Sequence, residues 1–522
     1  MQKRVNGAGQ GRSHAFSWRW ALLISLLGAA LITVGLLPKR AHGVAAGMAS
    51  ENQSPERVQK AAVNLGSWTA PLTIGVVAIH AALLTNGQVL MWYTDAPFGS
   101  GTGSLAQLWN PATNALTDVK LPFPYDIFCS GMTMLPNGQL LVIGGKDDSK
   151  GYGSRAGIAE SFLFNPTTNT WSQAADMNYA RWYPTGTEQS DGTVLVTSGT
   201  DDNSDYVLEQ EVYNYQTNVW TVLPASADIS ANIDIYPRMV LLPSGQVFTG
   251  GMYNVTQMFN PATNTWSSVG NLNFGQRVYG GQVLLPGLEQ VLAVGGNPNV
   301  DQTGTATNTV EMINFAQPTP KWTYVASMNE ARQNENLILM PDGTVLAVGG
   351  GGGGGRYTNP VYQPEEYNPT SNTWTLYNPQ QAQRTYHSTA LLLPDGRVFS
   401  AGSDSGPLRT TLEVFSPPYL SNGLRPTITS APSTLTYGQQ FTIKTPNAAG
   451  ITRVALIKVA SATHATRFDE RFVDLTFTLG KAQITATAPP SSRYAPPGYY
   501  MLDILSKTGV PAVMPMVQLS SQ

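Results

Sequence analysis

The sequence predicts an all-β chain: a seven-bladed β-propeller followed by a C-terminal immunoglobulin-like β-sandwich. Three observations carry that reading. The 522 residues exceed what one hydrophobic core supports, so two or more domains are expected. Charged residues make up only 12 % while Gly (51) and Pro (36) are abundant, which suits many short strands and tight turns better than long surface helices. One sentence is also written several times along the chain: an apolar strand with an Asn-Gly or Asp-Gly turn before it and a Gly-Gly pair after it.

The repeats define the first domain. "MLPNGQLLVIGG" (134–145) leads to "FLFNPTTNTW" (162–171), and "QSDGTVLVTSG" (189–199) to "VYNYQTNVW" (212–220). "LLPSGQVFTGG" (241–251) leads to "MFNPATNTW" (258–266), and "LMPDGTVLAVGG" (339–350) to "EEYNPTSNTW" (365–374). Looser copies begin at 83, 284 and 392. About seven units of roughly 50 residues result, which is the period and Gly-Gly signature of a kelch-type β-propeller. The Asn-Gly or Asp-Gly pair provides the positive φ of a tight hairpin. The Asn-Pro-x-x-Asn-x-Trp segment turns the outer hairpin and sets a Trp between blades. The last unit ends at "PPYLSNG" (417–423) without its Trp strand, and "NLGSWTAPL" (64–72) supplies one from the other end. Trp68 is therefore predicted to complete the final blade, closing the ring and protecting its sheet edges. The propeller is assigned to 65–420.

After Pro417-Pro418 the repeat stops, and 421–522 reads as short alternating strands such as "RVALIKV" (453–459) and "QITATAP" (483–489), a sandwich pattern. At the other end, Lys3, Arg4, Arg12 and Arg19 precede an apolar run from Trp20 to Leu37, with Ala41-His42-Gly43 beyond it. Residues 1–45 read as a signal peptide or a membrane anchor, and 46–64 as a linker. Either alternative places the folded part outside the cytoplasm, secreted or held at the outer face of the membrane. The net charge of −3 and the lack of a basic stripe argue against nucleic acid as a partner. Cys129 is the single cysteine, so no intrachain disulfide can form.

Aligning the repeats on their turns picks out one position. About eight residues before each turn stand Cys129, Tyr183, Tyr236, Tyr279, Asn334 and His387. They are expected to start the innermost strands, so side chains distant in sequence converge at one mouth of the channel. A thiol, an imidazole and several phenols are an odd lining if packing were their only task. Tyr386 stands beside His387, and His464 lies in "ASATHATRFDER" (460–471) of the second domain. Taken alone, His464 reads as a solvated loop histidine, and His80, two positions off register, as structural. Imidazoles with phenols suit a transition metal, and tyrosinate with imidazole in a square arrangement suits Cu(II). A bound cation favours deprotonation of a phenol.

The segments "FCSG" (128–131), "ARWYPTG" (180–186), "RTYHSTALLLPDGRVF" (384–399) and "ATHATRFDER" (462–471), in that order on this scaffold, resemble the galactose oxidase and glyoxal oxidase family of copper-radical oxidases. The resemblance covers both domains. It implies one copper ion held by Tyr183, Tyr386, His387 and His464, and a thioether joining Cys129 to Tyr183 as the radical cofactor. Tyr386 would be the axial phenol and general base. The implied reaction is two-electron oxidation of small aldehydes, as hydrates, or of primary alcohols, with O2 reduced to H2O2. Tyr236, Tyr279, Asn334 and Arg238 would surround the site, Arg238 as a contact for a polar substrate. Galactose oxidase places a tryptophan over its cross-link just after the strand that follows the radical tyrosine. Here that stretch is "SGTDDNSDY" (198–206), and "ARWYP" looks closer to the glyoxal oxidase branch. A monomer is expected. The competing reading is a non-catalytic kelch module that binds glycan or protein at the cell envelope.

Overall fold

Each repeat folds into its own antiparallel sheet. In the computed structural model, which describes residues 64–94, 103–151, 153–230, 233–250 and 252–520, five repeats form four-stranded sheets whose strands lie side by side in chain order. The export segment predicted at 1–45 and the linker up to residue 63 lie outside the described residues. Among the described residues no helix is long and apolar enough to cross a membrane.

The first and last repeats borrow strands from elsewhere. Ser67–Trp68 and Leu72–Thr73 both pair antiparallel with Thr411–Ser416, and Trp68 stands opposite Phe415. The sheet of the first repeat gains Ser461–Thr463 and Thr466–Phe468, a hairpin from the C-terminal part of the chain. Successive inner strands neighbour one another from Gly131–Met134 through Thr185–Glu188, Arg238–Leu241, Gly281–Leu284, Asn336–Leu339 and Ser388–Leu392 to His80–Leu83. All of them flank the hairpin. Ser461–Thr463 touches the strands at 80, 131 and 388, and Thr466–Phe468 touches those at 185, 238, 281 and 336.

Two repeated contacts hold neighbouring segments together. In five repeats the outer tryptophan donates its indole N–H to a backbone carbonyl of the preceding repeat: Trp171 to Val119, Trp220 to Ala175, Trp266 to Ala227, Trp374 to Ala326 and Trp68 to Asn378. The amphipathic indole covers apolar surface while its one donor is satisfied. The second contact is a buried ion pair within a sheet, between an arginine just before the inner strand and a glutamate on the third strand. The pairs are Arg181–Glu211, Arg277–Glu311, Arg332–Glu365 and Arg384–Glu413. Further hydrogen bonds from the guanidinium groups to backbone carbonyls and from backbone N–H groups to the carboxylates make such burial tolerable, although Nε of Arg181, Arg277 and Arg384 is left without a partner.

The C-terminal part forms a five-stranded and a three-stranded sheet around one core. Ile443, Ile484 and Ala486 of the smaller sheet meet Val454, Leu456, Leu502 and Ile504 of the larger. The hairpin carrying His464 leaves this unit and is seated among the inner strands. Its base is fixed there by Arg467 to the Ala390 carbonyl, Arg471 to the Leu241 carbonyl, and Glu470 accepting from the Leu339 N–H.

Candidate metal centre

The aligned residues do not begin the inner strands as expected; they stand one or two residues ahead of them, in left-handed backbone conformation. The φ values are 58° at Cys129, 63° at Tyr183, 47° at Tyr236, 52° at Tyr279, 63° at Asn334 and 67° at His387. This region is uncommon for residues with a Cβ, and each instance costs on the order of 1 kcal/mol. The cost is met by neighbouring repeats. The Tyr183 N–H donates to the Cys129 carbonyl at 2.9 Å, Tyr236 to Tyr183 at 2.9 Å, and Asn334 to Tyr279 at 2.7 Å. The Arg–Glu pairs clamp the chain two or three residues upstream of Tyr183, Tyr279, Asn334 and His387.

His464 is not a solvated loop residue: it is buried at 1 % exposure. With Ala465 it makes the two-residue turn between Thr463 and Thr466, at φ 51° and 58°. That is the geometry of a type I′ turn, which usually takes Asn-Gly. Arg238 helps hold it. Its guanidinium is buried and spent on the carbonyls of Tyr236, Gly280 and His464, so it is not open to a substrate as expected but braces the turn that presents His464.

The donors meet in one place. The ligand atoms of Cys129, His387 and His464 lie within 4.8 Å of one another. The Tyr183 and Tyr386 oxygens are 2.7 Å apart, and the Cys129 sulfur is 3.6 Å from His464 Nε2. Tyr183 also hydrogen-bonds the Cys129 thiol. The His464 ring stands edge-on to Tyr183, Tyr386 and His387, with centroids 4.7, 5.2 and 4.3 Å away. Both imidazoles have Nδ1 engaged, His387 with the Asp404 carboxylate at 2.8 Å and His464 with the Thr463 hydroxyl at 2.6 Å. That orients each Nε2 toward the phenols and thiol, and His387 Nε2 is buried without a partner.

The surrounding residues divide. The Tyr236 ring packs on Tyr183 and His464, and its hydroxyl donates to the Ser130 carbonyl at 2.8 Å. Tyr279 lies edge-on to Tyr386. Asn334 instead donates its amide to Gln302. His80 is structural in a specific way: its Nε2 accepts the Cys129 N–H at 2.9 Å, and its ring stacks on Trp92. Trp182, beside the aligned tyrosine in sequence, stands edge-on to the Tyr183 ring at 4.2 Å. Gly402 allows close approach: at φ +77°, a Cβ there would lie 2.5 Å from the His387 carbonyl and 2.4 Å from that of Ala78.

Burial keeps these groups neutral. It pushes Tyr183 and Tyr386 well above the usual phenol value, reinforced at Tyr183 by Cys129 and Tyr386 and at Tyr386 by Tyr279 and Cys129, while the hydrogen bond from Tyr183 works the other way on Tyr386. It raises the Cys129 thiol and, with His387 nearby, lowers His464 and His80. Burial alone would raise Asp404 too, but His387 beside it and the bonds from His387 and Tyr357 hold it below the ordinary carboxylate range. Two nitrogens, two phenols and a thiol, with an orphaned Nε2 among them, fit a transition-metal ion, whose charge would displace the phenolic protons.

Sequence reasoning missed Asp404, Thr463 and the arginine clamps, and gave Arg238 a different role. Asp404 follows a Gly-Ser pair outside the alignment, Thr463 adjoins a residue read as solvated, and Arg238 acts through backbone carbonyls. The arginine clamps had a visible signal: "ARWY", "QRVY", "ARQN" and "QRTY" share Arg two places before the aromatic or amide.

Comparison with known proteins agrees with this geometry. A family profile described as the glyoxal oxidase N-terminus matches residues 104–419, and a galactose oxidase-like Early set domain matches 425–519. A galactose oxidase of Gibberella zeae is 30 % identical over 495 residues, covering 87 % of this chain and 71 % of that protein. Aldehyde oxidase GLOX of Vitis pseudoreticulata is 29 % identical over 444 residues, covering 76 % and 82 %. Among solved structures, a fungal alcohol oxidase of the AA5 family in complex with copper superposes with a TM-score of 0.78 at 22 % identity. It spans 88 % of this chain and all of that one, and shows a shared fold.

Proposed function

The chain belongs to the glyoxal oxidase and galactose oxidase family and is an oxidoreductase of that type, and on that premise we propose that it is a copper-radical oxidase of small aldehydes, as hydrates, or primary alcohols, yielding H2O2. The observation that carries the proposal is the convergence of Cys129, Tyr183, Tyr386, His387 and His464, brought from four separate segments into one buried cluster. In the same reading the seven repeat sheets are blades of a kelch-type propeller over 65–420. The domain at 421–522 is an immunoglobulin-like sandwich that contributes one ligand, and the chain is exported.

His387, His464, Tyr183 and Tyr386 would hold the copper. Bound there, copper supplies Lewis acidity and a one-electron acceptor. The protein does the rest. Tyr386, whose oxygen already hydrogen-bonds Tyr183, takes the substrate hydroxyl proton. Tyr183, which a thioether would join to Cys129, would in its one-electron-oxidised form accept the hydrogen atom from the adjacent carbon. The Trp182 and Tyr236 rings pack against the Tyr183 ring. The balance is one hydrated aldehyde and one O2 giving one carboxylic acid and one H2O2.

The test is chemical. After aerobic copper loading, the intact mass is expected to fall by two hydrogens, and Cys129 to resist thiol reagents in denaturant. Peroxide release should follow with an aldehyde and alcohol panel, and Cys129→Ala should lose most of it while keeping the fold. A fully titratable thiol with no peroxide from any substrate points instead to a binding module.

A further inference from the structure

Arginine is the most committed residue type around the site, with one exception. Arg181, Arg277, Arg332 and Arg384 are locked in ion pairs, and Arg238 is spent on carbonyls. Arg356 forms no ion pair and donates no side-chain hydrogen bond to any described residue, and it is exposed. Its guanidinium lies 4.9 Å from the centroid of the Tyr386 ring. Its field reaches Tyr386, Tyr279 and Tyr183 before any other group. The placement is built rather than incidental. The Arg356 carbonyl accepts the Tyr386 N–H, and the next residue, Tyr357, packs on the Tyr386 ring and hydrogen-bonds Asp404. The Asp404 carboxylate is engaged by His387 and Tyr357 and makes no ion pair with the guanidinium.

We propose that Arg356 binds the carboxylate of the substrate, so that the preferred substrate class is a short aldehyde acid whose aldehyde reaches the phenols while its carboxylate stays at the guanidinium. The proposal rests on the oxidase reading. A carboxylate meets this fork in a planar, two-point contact that a neutral aldehyde cannot make. The hydrated aldehyde acid loses two electrons and two protons, one from carbon and one from oxygen. O2 takes both and leaves as H2O2, and the product is a dicarboxylate.

Succinic semialdehyde and butanal are matched probes, alike except for the carboxylate. In copper-loaded protein the ratio of their kcat/KM values is expected to favour the semialdehyde. In Arg356→Gln that ratio should fall roughly 10- to 100-fold, the loss of one charge-assisted contact, with Arg356→Lys between the two. The preference should also weaken with added salt, since the guanidinium faces solvent. A ratio in Arg356→Gln within about twofold of wild type overturns the proposal. Calorimetry on copper-free protein separates it from the oxidase reading. Succinate should bind and succinamide should not, with succinate weakened at least about tenfold in Arg356→Gln. If neither aldehyde is oxidised but that pattern holds, the oxidase reading fails and the carboxylate site stands. If succinate binds equally to both proteins, or to neither, the carboxylate site is refuted.

Discussion

Replacing Asp404 tests whether a carboxylate sets the donor strength of His387. Its Oδ2 is 2.8 Å from His387 Nδ1, and the acid side chain is 23 % exposed. A hydrogen bond to a charged group contributes about 1.5–3 kcal/mol. Because water can reach this site, the lower half applies to Asp404→Ala, about 1.5–2 kcal/mol, or roughly 10- to 30-fold in copper affinity. The conservative Asp404→Asn keeps an acceptor and loses the charge, so its effect is smaller, about fivefold. Thr463→Val removes the equivalent bond to His464, but that partner is neutral, and a net loss of about 1 kcal/mol is expected. The measurement is chelator competition for copper on each variant, with electron paramagnetic resonance reading nitrogen hyperfine couplings and thermal unfolding of the copper-free proteins as the fold control. The ranking Asp404→Ala, then Asp404→Asn and Thr463→Val, is the expected result. Copper affinity of Asp404→Ala within about twofold of wild type would refute the reasoning.

Two further outcomes concern stability. Glu365 accepts from Arg332, from the Asn329 N–H and amide, and from the Glu330 N–H, all in a buried site. Glu365→Ala strands the guanidinium and should cost about 3–5 kcal/mol, read from the urea midpoint at constant slope; a loss under about 1 kcal/mol contradicts the clamp role. Asp503 is 1 % exposed, and burial lifts its carboxyl to about 7. The folded state therefore binds this proton more tightly than the unfolded chain. The stabilisation is complete below the unfolded carboxyl value and is lost as pH rises toward about 7. Asp503→Asn, which can still accept from the Ala512 N–H, should flatten the decline in Tm between acidic and neutral pH; an unchanged slope would show that Asp503 does not titrate in that window.

Much of this architecture was legible because it is periodic. The Asn-Gly and Asp-Gly turns and the outer tryptophans recur at fixed offsets, and offset counting alone gathered Cys129, Tyr183, Tyr236, Tyr279, Asn334 and His387. What was lost is what has no letter of its own. Tyr and His carry no sign that they will adopt a left-handed φ, and His464-Ala465 lacks the Asn-Gly mark of the turn it makes. Both are imposed by tertiary partners: carbonyl-to-amide links between repeats in the first case, Arg238 in the second. Arg238 was read as a substrate contact because its charge was visible and its acceptors, three main-chain oxygens, were not. Asp404 escaped because it lies beyond the repeated motif, in a segment whose spacing to the histidine no alignment of blades reveals.

The hairpin at 461–468 touches every inner strand, yet it is translated after all of them. The first strand it pairs with, at 80–83, is made nearly four hundred residues earlier and has to wait for it. A ribosome therefore releases almost the whole polypeptide before the second imidazole exists in place. Prematurely terminated products lack that imidazole and the hairpin that carries it.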